Sequence, residues 1–169
     1  GTAVGNYLTS VHYADSALGD FLTYINESSA FDNTIFVFYG DHDAKLTRKE
    51  LNYLYNYNKE DGSVYEEGNE NYTQYDSFKH ELNKKTPLIM WTKNSKLKNT
   101  LKGEVKYYMG MIDVAPTILN MLGYKNEYAL GHDIFNIKNN NVVAFPNGNF
   151  LTNRLYYRST NETYKPLSL

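Results

Sequence analysis

The chain contains no cysteine. That excludes disulfides, thiolate metal sites and a cysteine nucleophile, and leaves any metal to oxygen and imidazole ligands. An excess of charge is missing too: the net charge is -2 and the pI is near 6.1, so there is no basic footprint for nucleic acid or an anionic membrane surface. No apolar run approaches the roughly 20 residues that span a bilayer, and the N-terminus lacks the charged-then-apolar layout of a signal peptide. The chain as it stands is therefore expected to be soluble. It also lacks an initiating Met, and Gly1-Thr2-Ala3 runs almost at once into a helical pattern, which predicts an excised piece of something longer. No phosphate-cradling glycine loop, Gly-x-Ser-x-Gly elbow, Ser-His-Asp order, repeat or heptad is present, so no covalent nucleophile is expected within these residues.

At 169 residues and 41% hydrophobic, the chain has single-domain size and can bury a core covering roughly 70% of its unfolded surface. Val11, Ala14, Leu18, Phe21, Leu22 and Ile25 recur at three- and four-residue spacing, the stripe of an amphipathic helix facing a sheet. Ile35–Tyr39 is a continuous β-branched and aromatic run bounded by Asn33 and Gly40, which predicts a strand buried on both faces, as in a parallel sheet covered by helices. Thr47-Arg48-Lys49-Glu50 has the spacing of a capping box and predicts a short helix through about Tyr55. Residues 56–83 are polar and tyrosine-rich without a period, which predicts a long loop with at most a turn of helix, serving as a binding loop or a lid or left disordered. Pro87–Thr92 is expected as the next buried strand and Lys93–Gly103 as a basic, exposed stretch. Asp113, Pro116 and Gly123 mark the N-cap, first turn and end of a helix over 114–122. Val142–Phe145 and Phe150–Thr152 flank a Pro-Asn-Gly-Asn turn, with Leu155–Arg158 as a third strand.

Gly40 stops the first strand and is followed at once by Asp41, His42 and Asp43. Ligands of open α/β sheets gather beyond the carboxyl ends of strands. Adjacent strand residues face opposite ways, so Asp41 and His42 reach one ion only if the strand has already ended, which Gly40 would permit. A carboxylate and an imidazole suit manganese, zinc or magnesium. The competing reading is that Asp41 caps the next turn and His42 is a surface residue. Asp43 is expected as a further ligand, as an acceptor orienting His42, or as a structural residue. His12 is expected on a helix surface. His80, in the long loop, is within reach of a bound anion or simply exposed, and His132, between Gly131 and Ile134-Phe135, is a candidate for the substrate edge. The tyrosines of 53–75 either stack on sugars or pack locally.

Taken together and in order, Val11–Phe21, Tyr39–Asp43, Pro87–Trp91, Ile112–Gly123, Leu130–Phe135 and Phe145–Phe150 resemble the sulfatase-like branch of the alkaline-phosphatase superfamily. Within it they look like the C-terminal half of the catalytic domain of the lipoteichoic-acid-synthase and phosphoglycerol-transferase group. The resemblance implies an α/β sandwich with a mostly parallel sheet flanked by helices over 1–135, and a small antiparallel β element over 136–169. It puts Asp41 and His42 on a divalent cation, most typically Mn2+, with Mg2+ or Zn2+ as alternatives. A catalytic Thr and an acidic ligand would precede Gly1, so no catalytic nucleophile is assigned here, and His132 and His80 are the candidates for substrate contact. The implied reaction is attack of that Thr on a phosphatidylglycerol-type phosphodiester, with onward transfer to a polymer or glycan acceptor. The parent would be anchored in a bacterial plasma membrane with this portion outside. Alternatives are a sulfatase or phosphodiesterase of the same superfamily, or a non-catalytic glycan-binding module.

Overall fold

The computed structural model describes residues 1–137 and 141–167. Residues 138–140 and 168–169, part of the expected 136–169 element, lie outside the described residues. The chain divides into two compact units, Gly1–Lys102 and Gly103–Leu169. It is mixed α/β, but among the described residues the two sheets are small and antiparallel.

The first unit opens with α1 (Ala3–Glu27), whose N-cap Thr2 accepts from the Gly5 amide at 3.1 Å. Strand β1 (Phe36–Tyr39) pairs antiparallel with β2 (Leu88–Trp91), in a register that sets Phe36 against Trp91 and Tyr39 against Leu88. This corrects the expected parallel sheet. An apolar run reports that a strand is covered, and carries no information on which way its neighbour runs. The strand is also half-buried rather than sealed on both faces, with Tyr39 exposed. Phe36 is the hub of the packing: its ring meets Phe21 edge-on at 5.9 Å, Phe31 at 5.7 Å and Trp91 at 5.9 Å. Each such pair adds about 0.5–1.5 kcal/mol beyond its buried area. Of the predicted stripe on α1, Ile25 is buried and Leu22 half-buried, while Val11, Leu18 and Phe21 stay exposed.

Helix α2 (Arg48–Asn56) forms with both halves of its capping box: Glu50 accepts from the Thr47 amide at 2.7 Å, and Thr47 accepts from the Glu50 amide at 3.3 Å. The segment after it is no loose lid. Asn56, fully buried, donates to the Asn52 and Thr73 carbonyls and accepts from the Thr73 amide, stapling the loop at both ends before α3 (Ser77–Leu82). The stretch after β2 is exposed over 95–100 and 102–103, as expected, and is better ordered in its backbone than the composition suggests. It contains α4 (Ser95–Leu101), capped by Asn94, and Lys93 turns inward to pair with Asp32 at 2.7 Å while donating to the Ser28 carbonyl.

In the second unit a short 3-10 turn (Met111–Asp113) leads into α5 (Val114–Met121), and Gly123, just past its end, takes the left-handed conformation at φ 78°. Beyond it, β3 (Val142–Ala144), β4 (Phe150–Thr152), β5 (Leu155–Arg158) and β6 (Thr163–Pro166) form an antiparallel meander. Buried Asn149 locks the turns, donating to the Tyr156 hydroxyl at 2.7 Å and accepting from the Ser159 amide at 2.9 Å. Strand β6 was not anticipated: four residues including a lysine and a proline give no strand signal, and Pro166 is tolerated because β6 is an edge.

Candidate metal centre

The chain leaves β1 through Gly40, whose amide donates to the Pro87 carbonyl at 3.2 Å. Gly40 is required here for close approach, since a Cβ would stand 2.8 Å from the Thr86 Cβ. Its backbone dihedral is not in the left-handed region, so the expected reason, freedom to turn, is replaced by a steric one. The next two residues bring their side chains together at the surface. Asp41 Oδ1 and His42 Nε2 lie 3.6 Å apart, with side chains 83% and 55% exposed respectively.

His42 Nδ1 is 2.7 Å from the Asp43 carbonyl oxygen. A carbonyl only accepts, so in the neutral ring the proton sits on Nδ1 and the lone pair on Nε2 faces Asp41. The backbone of Asp43, rather than its carboxylate, therefore orients the imidazole. The Asp43 side chain accepts instead from the Lys45 amide at 3.3 Å and closes the following turn, with Lys45 at φ 53°. Asp41 thus offers a carboxylate and, in the neutral ring, His42 offers its Nε2 as donors on the same side of the corner. Two donors at about 2.0–2.2 Å from one ion stand roughly 3–3.6 Å apart, so the observed spacing fits, and the donor types fit a hard or borderline divalent metal. Among the described residues no third carboxylate or imidazole completes the group.

The other histidines sit elsewhere. His12 is exposed on α1. His80, in the last turn of α3, sets its ring edge-on to Tyr75 at 6.1 Å, and its Nδ1 is buried without a hydrogen-bond partner among the described residues. Burial pushes the Tyr75 phenol above its ordinary range, an effect the Asn83 side chain partly offsets. In the second unit, the His132 amide donates to Asp113 Oδ1 at 2.7 Å, and its Nδ1 lies 3.9 Å from the same oxygen, with the imidazole 69% exposed.

Asp113 corrects a local reading. It was expected to cap α5, but its carboxylate makes no such cap. It reaches back to the Gly110 amide at 2.8 Å and across to His132. Gly131 makes that approach possible, because a Cβ there would collide with the Ile112 carbonyl. The only sequence signal for this staple is a glycine immediately before His132, which does not say which carboxylate it approaches.

A family model described as Sulfatase matches residues 2–124. The chain belongs to the sulfatase family. Among curated relatives it is 32% identical over 154 residues to lipoteichoic acid synthase 2 of Bacillus subtilis (strain 168), covering 89% of this chain and 21% of that protein. It is 28% identical over 172 residues to lipoteichoic acid synthase 1 of the same strain, covering 96% of this chain and 24% of the relative. With lipoteichoic acid synthase of Staphylococcus aureus (strain USA300) the identity is 28% over 156 residues, 91% of this chain and 21% of the relative. The chain thus spans between a fifth and a quarter of the length of these relatives. No solved structure gives a significant match. Among the described residues no helix is long and apolar enough to cross a membrane.

Proposed function

We propose that this chain supplies two ligands, Asp41 and His42, to a divalent-metal site of a phosphoglycerol transferase acting on phosphatidylglycerol-type lipids. The observation that carries the reading is the Asp41–His42 pair itself: 3.6 Å apart, exposed, and with Nδ1 on the Asp43 carbonyl, which leaves Nε2 of the neutral ring to ligate. Sulfatase-family membership and lipoteichoic acid synthase relatives support the reaction class. Asp41 and His42 would hold a divalent ion, manganese first and magnesium or zinc as alternatives, and when bound it would supply charge neutralisation at a phosphoryl oxygen and at the nucleophile.

The work of this chain is positional. Gly40 lets the corner sit against Thr86 and Pro87, the Asp43 carbonyl fixes the imidazole tautomer, and Asp41 supplies the negative charge that holds the cation. A threonine nucleophile and a further acidic ligand come from polypeptide outside these residues. That threonine attacks phosphorus and diacylglycerol leaves; the glycerophosphoryl group then passes to a polymer or glycan acceptor. His132, with an exposed ring held beside Asp113, is the better candidate for a substrate contact, while His80 presents a ring already half-buried against Tyr75. The setting is the outer face of a bacterial plasma membrane, reached through an anchor elsewhere in the protein.

The test is turnover of a phosphatidylglycerol-like lipid, at saturating manganese, by a polypeptide that joins this chain to the nucleophile. Activity is expected to require Asp41 and His42 and to be lost on chelation. Near-normal turnover in the Asp41→Ala variant would overturn the proposal. Turnover of an aryl sulfate in place of the lipid would move the assignment to a sulfatase.

A further inference from the structure

The end of α2 and the segment that follows it take no part in the metal corner, yet the backbone there is closely hydrogen-bonded and carries an aromatic surface. Tyr53 and Tyr57 lie one helical turn apart with ring centroids 5.7 Å from each other and planes inclined by 37°. They are 42% and 40% exposed, and Val64, bridged antiparallel to Tyr57, is 39% exposed. The three form a continuous apolar strip open to solvent.

Its backbone is fixed from beneath. Besides the buried Asn56 staple, the Asn58 amide donates to the Ser63 carbonyl at 2.9 Å, Gly62 to Asn58 at 3.0 Å and Tyr65 to Asn56 at 2.8 Å. A partner would meet rings already in place, which keeps the ordering cost of binding low. The turn that carries Glu60 and Asp61 runs beside Tyr57, since a Cβ on Gly62 would sit 3.7 Å from the Tyr57 hydroxyl. Between Tyr53 and Tyr75 there are five carboxylates, Glu60, Asp61, Glu66, Glu67 and Glu70, against the single cation Lys59, a local net charge of -4. All five are exposed.

These two features are independent and point the same way. Aromatic faces attract cations through the ring quadrupole, and an acidic field concentrates cations while repelling phosphate polymers, nucleic acid and anionic lipid. A charged rim alone would serve to solvate the loop; here it flanks two tyrosine rings held against each other at 5.7 Å. We propose that the Tyr53–Tyr57–Val64 strip and its acidic rim dock a lysine-rich polypeptide segment, with ammonium groups over the ring faces and lysine stems along Val64. The strip is open and extended, which suits a chain of successive lysines better than a single caged ammonium.

The experiment titrates the full chain with an eight-residue peptide of alternating lysine and glycine, followed by amide NMR shifts at low and at raised salt. Saturable binding is expected, with shifts confined to 53–67 and an affinity that weakens as salt rises. Y53A/Y57A should weaken binding about fivefold or more, Y53F/Y57F should restore it because the ring faces return, and E60Q/D61N should flatten the salt dependence. Melting curves of all three check folding, and the phenylalanine and amide variants keep the test decisive if the alanine variant unfolds. Equal affinity for Y53A/Y57A, equal binding of a glutamate-glycine peptide, or ring-dependent binding of a neutral oligosaccharide in place of the lysine peptide would each overturn the proposal.

Discussion

Each unit of the chain holds one aspartate beside one histidine, and the two pairs are built for opposite ends. In the first unit Asp41 and His42 are neighbours in sequence, exposed, and 3.6 Å apart. In the second, Asp113 and His132 are 3.9 Å apart, but the aspartate side chain is only 3% exposed and accepts two backbone amides, from Gly110 and His132 itself. A buried carboxylate whose lone pairs are already used by backbone donors holds a fold together. An exposed carboxylate facing an imidazole lone pair is available to a cation. On the proposed reading, what separates chemistry from architecture is where the remaining lone pairs point, since the separation of the two partners is nearly the same.

The contrast breaks first on activity. Asp41→Ala and His42→Ala, placed in a polypeptide that turns over lipid, are expected to lower the rate by roughly a hundredfold or more, because each deletes an interaction made with the reacting charge. Their melting temperatures should stay within a degree or two of the parent, as neither side chain is buried. Asp113→Ala should do the reverse. Losing a charged acceptor shared by two amides costs about 3 kcal/mol or more, by about 1.5–3 kcal/mol for each bond to a charged group, and it is read as a large drop in melting temperature. If Asp113→Ala melts normally while Asp41→Ala unfolds, the roles assigned to the two pairs are exchanged.

Gly40→Ala sharpens the comparison by attacking the scaffold of the exposed pair without touching its ligands. The added methyl would meet Thr86 Cβ at 2.8 Å, and neither atom can swing away, so about 1–3 kcal/mol of overpacking strain is expected. The measurement is a thermal melt beside the lipid assay, and both should suffer. His132→Ala comes next in size. The backbone of His132, not its ring, satisfies Asp113, so stability should hardly move and turnover should fall only a few-fold. A loss as deep as that of His42→Ala would place the second pair in the chemistry as well.

How much of this was legible in the sequence follows from how local each feature is. The corner after β1 could be read because Gly40, Asp41 and His42 are consecutive, and the α2 capping box because Thr47 and Glu50 are one turn apart. Pairing direction could not be read: whether β2 runs with or against β1 is decided across 48 intervening residues, and an apolar run looks the same either way. Asp113 was misread for a related reason. An aspartate before Val-Ala-Pro has the composition of an N-cap, and only the return of the chain at Gly131-His132 shows that its lone pairs are spent elsewhere. The missed β6 had no signal of its own and exists because β5 offers it an edge.

A third carboxylate separates exposure from backbone bonding and gives the smallest effect. Glu50 is half-buried, between Asp41 and Asp113, and accepts from a backbone amide, as Asp113 does. Its bond to the Thr47 amide, with the Thr47 hydroxyl second, lowers its carboxyl below the ordinary glutamate range. A group whose folded-state pKa is depressed adds stability that is present above its unfolded value, about 4.3, and that is lost as pH falls through the folded value. Glu50→Gln should therefore leave turnover unchanged and lower the melting temperature slightly at pH 7. The gap between parent and variant should close as the melt is repeated in acid below pH 4. A gap that persists unchanged into acid would mean that the glutamine fails for a reason other than charge. If instead Glu50→Gln lowers turnover as Asp41→Ala does, then exposure alone, and not the direction of the free lone pairs, marks the functional carboxylates of this chain.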